Sequence, residues 1–167
     1  MFREMRRKKQ LLPAAMTAAV RQRNTSGVLA GSGEDGYPYA VPLSYVYAEG
    51  KLWFHSALSG HKLDAIMRQE KVSFCVVDQD EIVPERYTTH FRSAIAFGRV
   101  RVVTDAAMKR RVLELLADKY APQNSPAARA QEIDGQLAHT AVLELTIEHL
   151  TGKEAIELVR VREGMPS

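Results

Sequence analysis

The spacing of apolar and polar positions changes period several times along the chain, and each change marks an element. Ala14, Ala15, Ala18 and Ala19 follow Pro13 and predict a short helix over 13–23. The period then drops to two. A strand over 26–30 leads into a glycine-rich turn over 31–36. Residues 37–48 alternate, with Val41, Leu43, Tyr45 and Tyr47 on one face and Ala40, Pro42, Ser44 and Val46 on the other. Glu49-Gly50 turns the chain into a strand over 52–56. Two hairpins in succession argue for an antiparallel meander.

Helical spacing returns over 61–70, where Leu63, Ile66 and Met67 share a face. The β-branched and aromatic run 72–77 reads as a strand, and the charged stretch 78–84 as a loop. A long strand over 92–104 contains Gly98, which suggests a bulge or bend. Asp105 is placed to cap a helix over 106–120, whose Met108, Val112, Leu115 and Leu116 line one side. Residues 125–137 read as helix or loop, and 141–147 as a last strand. Six strands interrupted by helices do not form a doubly wound pattern. They suit a mainly β (α+β) antiparallel barrel with peripheral helices. The expected division is a basic arm over 1–12, one domain over 13–155 and a tail over 156–167.

Composition narrows the class. With 46% apolar and 26% charged residues, the 167-residue chain can bury a real core. No apolar run approaches the roughly 20 residues of a membrane-spanning helix, and no secretory leader is evident. Cys75 is the only cysteine, which excludes an internal disulfide and a cysteine-rich metal site. No membrane partner and a cytoplasmic location are therefore expected. The net charge of +3 gives a pI near 9.1, which by itself suggests nucleic acid. Its position argues otherwise. Arg3, Arg6, Arg7, Lys8 and Lys9 against Glu4 put +4 in the first nine residues, so the rest of the chain carries −1. No nucleic-acid motif accompanies the arm, and no nucleic-acid partner is expected.

Most chemical motifs fail in context. Gly31-x-Gly33-x-x-Gly36 matches a dinucleotide fingerprint, but a strand follows where a helix is required, so it reads as a hairpin turn. There is no Walker A loop and no His-Glu-x-x-His. The five histidines show no ligand-like i, i+4 spacing, so no metal is expected.

The segment from Phe54 to Leu63 is more informative. A strand ends in small polar residues, Ser59-Gly60 turns, and a helix opens with His61-Lys62. A cation in the first turn opposes the helix dipole unless an anion such as phosphate binds there. The alternative is a solvated lysine beside an ordinary serine cap. Pro42 removes a ladder donor from its strand. That leaves either a protected edge or a carbonyl free to meet a ligand.

The stretches 36–45, 54–57, 60–64 and 72–76, with Tyr87-Thr88-Thr89, 93–99 and Thr151-Gly152-Lys153, resemble the pyridoxamine 5'-phosphate oxidase-like flavoproteins. The nearest branch is the 5-nitroimidazole-resistance type, and the likeness runs over about 27–155. The resemblance implies an FMN-binding split β-barrel and a homodimer with FMN at its interface. It places Val41, Pro42, Leu43 and Ser44 along the flavin ring. His55, Ser56 and Ala57 fall at the strand end that reaches the flavin and its phosphate arm, and His61 and Lys62 at the phosphate clamp. Ser93 falls where the oxidase carries a flavin-facing glutamine. The oxidase has Arg-Lys at the clamp and a C-terminal Trp and Arg; here His61 replaces the arginine and Trp53 is the only tryptophan. Vitamin B6 oxidation is therefore not expected.

The resemblance implies an oxidoreductase that reduces a small organic acceptor, with a nitroaromatic as the example and NAD(P)H as the candidate donor. The competing expectation is a non-catalytic flavin or haem binder. No side chain stands out as a catalytic acid or base.

Overall fold

The computed structural model describes residues 2–165. The elements run α1 (Ala14–Arg23), β1 (Ser26–Ser32), β2 (Pro38–Ser44), β3 (Val46–Ala48), β4 (Lys51–Ala57), α2 (His61–Arg68), β5 (Lys71–Val83), β6 (Thr88–Val102), α3 (Ala106–Tyr120), α4 (Pro126–Gln136), β7 (Thr140–Glu154) and α5 (Ile156–Arg162).

Seven strands form one antiparallel sheet in the order β2-β1-β5-β6-β7-β4-β3. The two strands at its edges, β2 and β3, are neighbours in sequence with only Tyr45 between them. Two Cα–Cα steps, at most about 7.6 Å, join Ser44 to Val46. The sheet must therefore curl until its edges meet at Tyr45, and the barrel follows from that connectivity. The run 37–48, expected as one strand, is broken there because its halves pair with different partners, β1 and β4. This raises the expected six strands to seven.

Alternation fills the barrel. Leu29, Leu52, Phe54, Phe74, Val76, Leu143 and Leu145 belong to one buried cluster. Phe74 meets Tyr45 and Phe54 edge-on, each at 5.0 Å between ring centres. Val20 of α1 and Leu63 and Ile66 of α2 join the same cluster. On the outer face, Trp53 and Val142 pack with Val112 and Leu116 of α3. The side chain of Asp105 caps α3 by accepting from the Met108 N–H.

Gly98 has a specific reason. A Cβ there would stand 2.0 Å from the Thr146 carbonyl oxygen. The register slips beside it, from Phe97↔His149 to Gly98↔Ile147, so Glu148 is the extra residue of a bulge on β7.

Three boundaries differ from expectation. The charged stretch 78–84 is strand through Val83, because it pairs with the start of β6 from Val83↔Thr88 to Gln79↔Arg92. Its Asp78 carboxylate accepts from Asn24 at 2.8 Å and pairs with Arg23 and Arg92. The basic arm is not separate from the domain: Gln10 and Leu12 are buried, and the Leu12 N–H donates to the Gly152 carbonyl at 2.9 Å. Most of the expected tail is α5, held by buried Val159 and by Arg162, which pairs with fully buried Glu154 at 2.9 Å. Among the described residues no helix is long and apolar enough to cross a membrane.

Candidate functional site

The sheet closes at Tyr45 but is open beside it. Strand β2 pairs only with β1, and β4 pairs with β3 and β7, so β2 and β4 face each other without a ladder. Pro42 lies on this free edge, where its missing N–H costs nothing. A groove of about 370 Å³ occupies the split. Pro42, Leu43 and Ser44 form one wall, and His55, Ser56 and Ala57 form the other. Lys62, His139 and Thr140 complete its lining.

Gly60 prepares the Lys62 position. Its φ of 122° suits glycine, and it turns β4's exit loop into α2. Among the described residues no side chain caps α2, so its first backbone N–H groups lack a side-chain acceptor. Lys62, the second residue of α2, is half-buried, and loss of water lowers its pKa. No acidic partner among the described residues offsets this. A partly dehydrated ammonium group beside free N–H groups is a receptor for an anion.

His55 also titrates below its ordinary value. Lost hydration is the larger cause, and the positive charge of Lys62 adds to it. Near neutral pH its imidazole is therefore uncharged, able to donate through one nitrogen and accept through the other.

Of the ten expected site residues, the groove gathers seven. Val41 turns inward and packs on the barrel core. His61 leans on Tyr39, with ring centres 4.1 Å apart, instead of lining the groove. Ser93 lies in β6, paired with Val77 and Lys153, outside this chain's groove.

The comparisons with known proteins agree with this architecture. A family model described as pyridoxamine 5'-phosphate oxidase matches residues 16–154. The chain belongs to that family. No curated protein matches the sequence. Among solved structures, a candidate 5-nitroimidazole antibiotic resistance protein from Bacteroides thetaiotaomicron is similar at 19% identity and TM-score 0.74, over 86% of each chain. A FAD-binding protein from Mesorhizobium loti is 26% identical, with TM-score 0.60 over 87% of this chain and 97% of that one. A FAD- and haem-binding protein from Mycobacterium smegmatis is 22% identical, with TM-score 0.72 over 95% of this chain and 76% of that one.

Within this pyridoxamine 5'-phosphate oxidase-family chain, sequence reasoning missed His139 and Thr140. They reach the groove because β7 runs antiparallel to β4, with Thr140 opposite Ala57. The alternation over 141–147 signalled a strand but not its partner. A second chamber of about 490 Å³ was also missed. It lies between α3 and α4 and shares Ser44, His55 and Thr140 with the groove. Among the described residues no cluster of three or more His, Cys, Asp or Glu groups could hold a metal ion.

Proposed function

We propose that the groove holds a flavin, FMN in the first instance, with its phosphate at Lys62 and the start of α2. The observation that carries this reading is the half-buried, unpaired Lys62 ammonium beside an uncapped helix start. The residues suit the cofactor. Lys62 and the α2 N–H groups supply charge-assisted donors for a phosphate monoester. The hydroxyls of Ser44 and Ser56 and the neutral His55 imidazole offer polar contacts along the groove. The exposed edge of β2 at Pro42–Ser44 offers unpaired backbone groups to a heterocycle. The flavin-binding neighbours from M. loti and M. smegmatis support the same ligand class.

Bound there, a flavin supplies electron transfer between a reduced donor such as NAD(P)H and a small organic acceptor, for example a nitroaromatic. The chain contributes binding and orientation. The groove is open to solvent, and a second copy of the chain is the natural cover, giving a homodimer with flavin at the interface. In that assembly Ser93 and His61 meet the cofactor only if the partner brings them to it.

A second reading has its own observation. Two imidazoles, His55 and His139, line the groove, and the M. smegmatis neighbour binds haem as well as FAD. An absorption spectrum of the purified protein separates the two. Flavin bands bleached by NAD(P)H and restored by an acceptor support the oxidoreductase. Flavin that stays oxidised supports a binder, and a Soret band supports haem.

A further inference from the structure

The chamber between α3 and α4 has a chemistry unlike that of the groove it joins. Leu113, Leu116 and Ala117 of α3 face Ile133 of α4. Leu116 and Ile133 are buried at 6% and 5% exposure, so these walls are fixed by packing. At about 490 Å³ the chamber has the size of a small-molecule pocket. Among the described residues no lysine or arginine lines it. Glu132 is its one carboxylate, at the rim, accepting from Gln136 at 3.3 Å. His55 contributes an uncharged ring where the chamber meets the groove. An anion would enter an apolar space past a carboxylate and find no cation. A neutral ring would displace water from leucine and isoleucine surfaces.

We propose that this chamber binds an uncharged, apolar, ring-sized molecule and discriminates against its anionic counterpart. It rests on the flavin reading for its purpose, as the seat of the molecule that meets the cofactor across His55 and Ser44. The binding itself can be read without flavin.

The protein carries its own reporter. Trp53, its only tryptophan, shares a buried cluster with Leu116, and Leu113 packs against that cluster. Nitrobenzene and 4-nitrobenzoate both quench tryptophan and differ in charge at neutral pH. Each is titrated into flavin-free and FMN-loaded protein while Trp53 emission is followed. The expected result is saturable quenching by nitrobenzene in both forms, with 4-nitrobenzoate at least tenfold weaker in the FMN-loaded protein, where the phosphate occupies Lys62. Ala117→Phe, which fills the chamber, should abolish saturation while FMN affinity stays within twofold. Glu132→Gln should narrow the gap between the two probes. Equal affinities in the FMN-loaded wild type, linear quenching unchanged by Ala117→Phe, or loss of FMN binding in Ala117→Phe with its fold intact by circular dichroism would overturn the proposal. Saturable, charge-selective quenching in a protein that takes up no FMN would sustain the chamber and remove the flavin reading instead.

Discussion

The Tyr120 hydroxyl accepts from the Tyr45 N–H at 2.8 Å and also lies 2.8 Å from the Tyr45 carbonyl, toward which it can donate. Tyr45 is the one residue between the two edge strands of the sheet, and it is fully buried. The last turn of α3 therefore holds the seam of the barrel. The Lys119 ammonium donates to the same Tyr45 carbonyl at 2.9 Å, and the Tyr45 hydroxyl donates to the Arg21 carbonyl at 2.6 Å. Removing the Tyr120 hydroxyl leaves the Tyr45 N–H without its partner. Tyr120→Phe should cost about 1–3 kcal/mol of stability by urea unfolding. A change under about 0.3 kcal/mol would mean that the seam is held without it.

Two glycine substitutions should move stability in opposite directions. At Gly98 a methyl group would collide with backbone, the Thr146 carbonyl oxygen at 2.0 Å. Backbone yields less readily than a side-chain tip, so Gly98→Ala should lose about 3 kcal/mol or more. Gly135 lies in α4, and nothing stands within 4 Å of a Cβ there. Gly135→Ala should gain about 0.4–1 kcal/mol. Thermal unfolding of both variants checks the contrast, and equal shifts would refute the bulge geometry.

His55 should report on whatever binds at Lys62. Lost hydration and the Lys62 charge both hold its pKa below 6.5 in the folded chain. The unfolded chain therefore takes up a proton first as pH falls. The His55 contribution to stability is intact above about pH 6.5 and declines as pH drops toward the folded-state value. Lys62→Gln should move the His55 titration upward, and so should inorganic phosphate bound at Lys62. Proton NMR of the His55 ring, assigned with His55→Gln, follows this directly. A titration indifferent to both changes would separate the two side chains.

Much of the architecture is legible in the sequence because alternation and helix spacing report burial. The turn at Gly60, the cation at Lys62 and the cap at Asp105 were each visible from residue type alone. What sequence concealed was pairing. The switch at Tyr45 is invisible because alternation continues through it while the partner strand changes from β1 to β4. Residues 78–83 looked like a loop because their charges hid a hairpin ladder, and Asp78 is tolerated only because Arg23, Asn24 and Arg92 converge on it from distant positions. His139, Thr140 and the α3–α4 chamber depend on the β4–β7 register and on helix packing, which no local pattern encodes. Val41 shares the edge strand with Pro42 and Ser44, yet the same alternation that exposes those two turns it toward the core.

The most direct test of the account compares FMN with riboflavin, which lacks only the phosphate, on wild type and Lys62→Ala. Calorimetric titration should show FMN binding the wild type tightly and riboflavin more weakly. Lys62→Ala should weaken FMN by roughly ten- to a hundredfold, about 1.5–3 kcal/mol, and leave riboflavin nearly unchanged. FMN binding that is equal in the two proteins, or no stronger than riboflavin in the wild type, would contradict the assignment of Lys62 as the phosphate anchor.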